Sequence, residues 1–127
     1  MSFDWKSFSD VGYHLYEYSK EENYLRSSVG RFYYAAFGLA KEYYENTHHT
    51  VIPSFNAHDA LIDFLSDSVY SEENELSEFL FQLRRFRVGA DYHKIFNKDF
   101  ANLSKEKYSS LEKLIDELNE NPVVPKF

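Results

Sequence analysis

Between Glu21 and Asn46 the residues Leu25, Val29, Phe32, Ala36, Ala40 and Tyr43 recur every three or four positions over five turns. That period belongs to one face of an α-helix. The stretch contains no proline, so a single long helix near 21–46 is predicted. Ala35, Ala36, Gly38 and Ala40 would let a second helix approach closely, while Tyr33, Tyr34, Tyr43 and Tyr44 flank that seam. A chain of 127 residues can build one core but not two. No strand alternation, internal repeat, low-complexity segment or glycine-rich phosphate loop interrupts it. One domain over residues 1–127 is therefore expected.

The remaining segments follow the same period. A first helix near 4–19 carries Phe8, Val11, Leu15 and Tyr18 along one side. Gly12 costs it about 1 kcal/mol relative to alanine, unless a neighbouring helix needs the space. Ser19 and Glu22 have capping-box spacing and are expected to end the first helix and start the second. The pattern breaks over Asn46–Phe55, which is expected to be a loop. His48 and His49 lie there, but adjacent residues seldom converge on one ion, and neither a cysteine nor a nearby carboxylate joins them. No metal site and no cofactor are expected.

A third helix near 56–69 follows, with Ala57, Leu61, Phe64 and Leu65 apolar and His58 exposed in its first turn. Ser71 is expected to cap a fourth helix, whose early Glu72, Glu73 and Glu75 suit the helix dipole. Residues Ile95 to Phe100 cross back to a last helix, begun at about Ser104, that buries Tyr108, Leu111, Ile115 and Leu118. Asn121-Pro122 stops it, and Val123 to Phe127 form a short tail. The expected fold is all-α: a compact up-and-down bundle of about five helices.

Composition narrows the partners. There are no cysteines, so disulfides and thiolate metal sites are excluded. No apolar run reaches the roughly 20 residues needed to span a bilayer. Met1 to Lys6 lacks the basic and apolar regions of a signal peptide, so a cytoplasmic protein without membrane contact is expected. A net charge of −7 argues against a general nucleic-acid coat, though not against a small basic cleft. Eleven tyrosines and twelve phenylalanines exceed what one small core can hide, which points to a covered surface, most simply a homodimer.

The chemistry is concentrated in Leu83-Arg84-Arg85-Phe86-Arg87-Val88-Gly89-Ala90-Asp91-Tyr92-His93. Leu76, Leu80, Leu83, Arg87 and Ala90 share one helix face, so Arg87 stands in the apolar stripe and needs a partner. Asp91, four residues on, is the local one. Arg84 lies one turn earlier on the same edge. His93 falls roughly 120° around a continued helix from Arg87. To join Arg87 it requires the backbone to leave the helix, and Gly89 is the expected place for loosening.

The segment Leu83-Arg84-x-x-Arg87-x-x-Ala90-Asp91-Tyr92, together with Arg31-Phe32-Tyr33-Tyr34-Ala35-Ala36-Phe37, resembles the small bacterial and archaeal HEPN proteins. The resemblance implies a helical bundle. Many members are metal-independent endoribonucleases marked by an arginine, four to six spacer residues and a histidine; Arg87 and His93 enclose five. By that resemblance Arg87 and His93 are the catalytic pair, doubled in a homodimer that acts on RNA in the manner of toxin or phage-defence members. Arg84 and Arg31 would hold flanking phosphates, and Asp91 would orient Arg87 or Tyr92. Histidine suits the base, and arginine's donor fork suits charge on the phosphorane oxygens. Val88 stands where nuclease members commonly have a polar residue, and Ile95 where some toxins carry a modifiable tyrosine. The alternative within the family is a non-catalytic bundle that binds a nucleotide or a partner protein such as a nucleotidyltransferase.

Overall fold

The computed structural model describes residues 4–124, which form five helices and no strand. α1 spans Lys6–Tyr18, α2 Glu22–His48, α3 Ala57–Ser66, α4 Ser71–Tyr92 and α5 Asp99–Glu120. The all-α bundle expected from the periodicity is the architecture found. Short connections reverse the chain between neighbouring helices. α1 packs on α2, α2 on α4 and α5, and α4 on both α3 and α5. Among the described residues no helix is long and apolar enough to cross a membrane. Pro125 to Phe127, the end of the expected tail, lie outside the described residues.

α2 is the central element, and its predicted stripe is the core. Leu25, Val29, Phe32, Ala36, Ala40 and Tyr43 are each at most 3% exposed. Leu61 and Leu65 of α3, Leu76, Leu80 and Leu83 of α4, and Tyr108, Leu111, Ile115 and Leu118 of α5 are buried with them. Small residues admit the neighbours. A Cβ on Gly38 would collide with the indole of Trp5, and one on Gly12 would press on the Phe32 ring at 3.0 Å. Close packing thus offsets the helix penalty of Gly12.

Several boundaries and faces differ from expectation. α1 buries Ser9 and Gly12 with Phe8 and Tyr13 beside them, whereas Val11 and Tyr18 are exposed. The helix is turned this way because Tyr13 meets Phe32 edge-on at 4.9 Å, and only the small residues leave room for that ring. Ser19 Oγ accepts from the Glu21 N–H at 3.0 Å, a local turn in place of the capping box.

α3 ends at Ser66, where Asn74 donates to the carbonyls of Leu65, Ser66 and Ser68. α4 starts at Ser71 without a side-chain cap. α5 begins five residues before Ser104, at Asp99, whose N–H is held by Asn97 Oδ1 at 3.0 Å. Its buried stripe includes Ala101 and Ser104, too small or too polar to advertise a helix face. A smaller core of Leu25, Val29, Ala90, Phe96 and Ala101 closes the end of the bundle where α4 stops.

Candidate functional site

The apolar stripe of α4 runs into its charged end as expected. Arg87 continues the face of Leu76, Leu80 and Leu83 and is half-buried, its side chain 20% exposed. Its Nε donates to Asp91 Oδ2 at 3.1 Å, the predicted pair one turn on. The guanidinium also lies over the rings of Tyr34, at 5.1 Å, and Tyr33, at 5.6 Å, on α2. Arg84 reaches a different helix and forms an ion pair with Asp59 of α3.

His93 occupies the point where the chain leaves α4. The helix runs unbroken through Gly89, contrary to the expectation that loosening starts there. It ends only at Tyr92, and His93 itself is extended (φ −83°, ψ 134°). Arg26 of α2 fixes this exit by donating from Nη1 to the carbonyls of Ala90 and His93, both at 2.8 Å. Those carbonyls belong to the helix end that lacks internal donors. Gly89 is buried, with space for a Cβ about 3.6 Å from His93 Nδ1 and 3.7 Å from Phe100.

Among the described residues no hydrogen bond or ion pair joins Arg87 to His93 of the same chain. His93 instead shares the wall of a cleft of about 730 Å³ with Arg84, Arg85, Phe81, Phe86 and Phe100. Arg87 turns away toward the tyrosines of α2. Tyr92 is exposed. Arg31 does not face this groove: it is exposed, with its guanidinium over the Phe8 ring of α1 at 5.5 Å. Position 31 lies on the α1 side of α2, where a long cationic side chain covers a ring and still reaches water.

Two arrangements escaped the sequence reading. The first is around His58, expected to be exposed and found half-buried. Its ring stacks on Phe37 at 4.0 Å, and Nδ1 lies 2.5 Å from the Tyr33 hydroxyl. Burial, and then the Arg84 and Arg87 charges, hold the imidazole below its ordinary pKa. Burial pushes the Tyr33 hydroxyl up to about 12. Tyr33 on the flank of the α2 seam is visible in the sequence; its partner on α3 is not.

The second is Glu73, which the sequence presents as one of three acidic residues at a helix start. It is fully buried. Its carboxylate accepts from Tyr43 Oη at 2.8 Å, His48 Nε2 at 2.7 Å and Ser68 Oγ at 2.6 Å. A carboxylate therefore does meet His48, which the loop sequence did not suggest. His49 turns away in the left-handed region at φ 51°. No group of three or more His, Cys, Asp or Glu residues suited to a metal ion occurs among the described residues.

No protein-family model, no curated protein and no solved structure matches the chain.

Proposed function

We propose that the protein is a metal-independent endoribonuclease of the HEPN kind, acting on RNA as a homodimer. The observation that carries this reading is the cleft beside the end of α4, where one imidazole, two guanidinium groups and three phenylalanine rings share a wall. Arginines hold phosphates and aromatic rings stack on unpaired bases, the combination that single-stranded nucleic acid needs. Phe81 and Val88 on the cleft wall are 50% and 38% exposed, and Tyr92 and Ile95, on either side of His93 in the chain, are 73% and 88% exposed. A second copy docked there would cover them and bring His93 of one protomer to Arg87 of the other.

In the reaction, His93 takes the proton of a ribose 2′-hydroxyl. The freed O2′ forms a bond to the adjacent phosphorus, and the P–O5′ bond breaks. The proton passes from the imidazolium to the departing O5′, which leaves a 2′,3′-cyclic phosphate. Arg87 carries the charge that gathers on the phosphorane oxygens. The activity is tested by incubating the protein with single-stranded and tRNA-like substrates in the presence of chelator. Cleavage to cyclic phosphate ends, reduced about 100-fold by His93→Ala and by Arg87→Ala, is expected. Absence of cleavage, or cleavage untouched by His93→Ala, overturns the assignment.

A second reading is a non-catalytic HEPN bundle that binds a nucleotide or a partner protein such as a nucleotidyltransferase. It is favoured by the engagement of Arg87 with Asp91 and two tyrosines, away from His93 of its own chain. In that case Arg87→Ala weakens ligand or partner affinity and His93→Ala does little.

A further inference from the structure

We propose that Arg84, Arg87 and His58 form a binding centre for a phosphate ester, with the His58 imidazole as a residue that touches the phosphate. The three come from different parts of the fold. Arg84 and Arg87 stand one turn apart on α4, and His58 sits in the first turn of α3. Tyr33, Tyr34 and Phe37 of α2 form the floor beneath them, with His58 stacked on Phe37 and Arg87 lying over both tyrosine rings. An imidazole clamped by a ring on one face and a hydroxyl on Nδ1 is held in one orientation.

The arginines retain donors for a ligand. Arg87 spends Nε on Asp91, and among the described residues neither of its Nη atoms carries a hydrogen bond. Arg84 spends Nη1 on Asp59, whose side chain is 58% exposed and can give way to an incoming anion. A planar guanidinium with free Nη groups suits phosphate oxygens. Tyr33 keeps its proton at neutral pH; in the tautomer where that proton is donated to Nδ1, the His58 proton stands on Nε2 as a third donor.

The charged groups facing His58 are Arg84 and Arg87 from α4 and Asp59 from its own helix, with Tyr33 and Tyr34 from α2. Burial, and then the two arginines, hold the ring below its ordinary pKa. A phosphate dianion between them reverses that balance and draws a proton onto the imidazole. Arg84 also lines the cleft that holds His93. Identification of the bound group with the reacting phosphate of RNA rests on the endoribonuclease reading; the binding itself does not.

The experiment is an NMR titration of the histidine rings in the full chain, with inorganic phosphate and with uridine 3′-monophosphate. The His58 signals should move on addition of either, and its titration midpoint should rise when the site is filled. Arg87→Gln and His58→Gln should each weaken binding of the monophosphate by about tenfold, the scale of one charge-assisted contact. A His58 ring that does not respond, or a response confined to His93, overturns the proposal; the wild-type titration decides this even if a variant fails to fold. Phosphate binding at His58 without RNA cleavage leaves the centre standing and removes the nuclease reading. Cleavage with a silent His58 does the reverse.

Discussion

Removal of Glu73 tests whether a buried carboxylate ties three segments of this bundle together. Its side chain is 0% exposed and receives hydrogen bonds from Tyr43 and His48 on α2 and from Ser68 in the turn before α4. Glu73→Ala removes the charged acceptor of the Tyr43 hydroxyl, on a residue only 3% exposed. A hydrogen bond to a charged group contributes about 1.5–3 kcal/mol, and the three cannot be summed because His48 is part-exposed and can turn to water. With the cavity left by the missing side chain, a loss of about 3–5 kcal/mol is expected. At this chain length that corresponds to a fall in Tm of roughly 10–25 °C. Glu73→Gln keeps the shape but turns an amide donor toward groups that donate, and should cost about 1–3 kcal/mol. Urea unfolding followed by helical circular dichroism, with the slope checked for two-state behaviour, gives both values. If Glu73→Ala unfolds within 1 kcal/mol of the parent, the network does not hold these segments together.

Asp91→Ala should cost only about 1 kcal/mol in the same assay, because the Arg87 pair is 20% and 40% exposed and water screens it; a loss above 3 kcal/mol would mean that the pair is effectively buried. His58 makes stability depend on pH. Burial and then the two arginines lower its folded pKa, so the unfolded chain takes up its proton first as pH falls. The stability this neutral imidazole confers is complete above about pH 6.5 and is lost as pH drops toward the lowered folded value. His58→Gln should flatten that part of the profile, and an unchanged profile would show that the ring is not perturbed. Sedimentation at tens of micromolar should show a dimer that Val88→Asp converts to monomer; a wild-type monomer there would remove the proposed interface.

The sequence disclosed the fold wherever large apolar residues set the period. Leu76, Leu80 and Leu83 predicted the buried face of α4, and the stripe from Leu25 to Tyr43 predicted the core of α2. It failed where small residues do the packing. Ser9 and Gly12 decide which way α1 faces, and Ala101 and Ser104 extend α5, yet none of these stands out in a hydrophobic pattern. Within the candidate site, the Arg87–Asp91 pair was legible because helix spacing alone makes i and i+4 neighbours. Contacts between distant segments were not. Nothing near Arg26 indicates that it closes the end of α4, and nothing near His58 indicates Tyr33 or the two arginines. Glu73 looked like an ordinary first-turn acid because its burial depends on donors 25 and 30 residues earlier in the chain.

The proposed site is shared between two copies, with Arg87 of one protomer opposite His93 of the other. Subunit mixing tests it directly. Arg87→Ala and His93→Ala proteins, each inactive alone, are mixed, allowed to exchange subunits and assayed on RNA with chelator present. In a shared site, each mixed dimer regains one intact pair. Activity should then return to roughly a quarter of wild type, because half of randomly mixed dimers are hybrids and each has one of two sites. A mixture that exchanges subunits yet cleaves no faster than either variant alone would contradict the account.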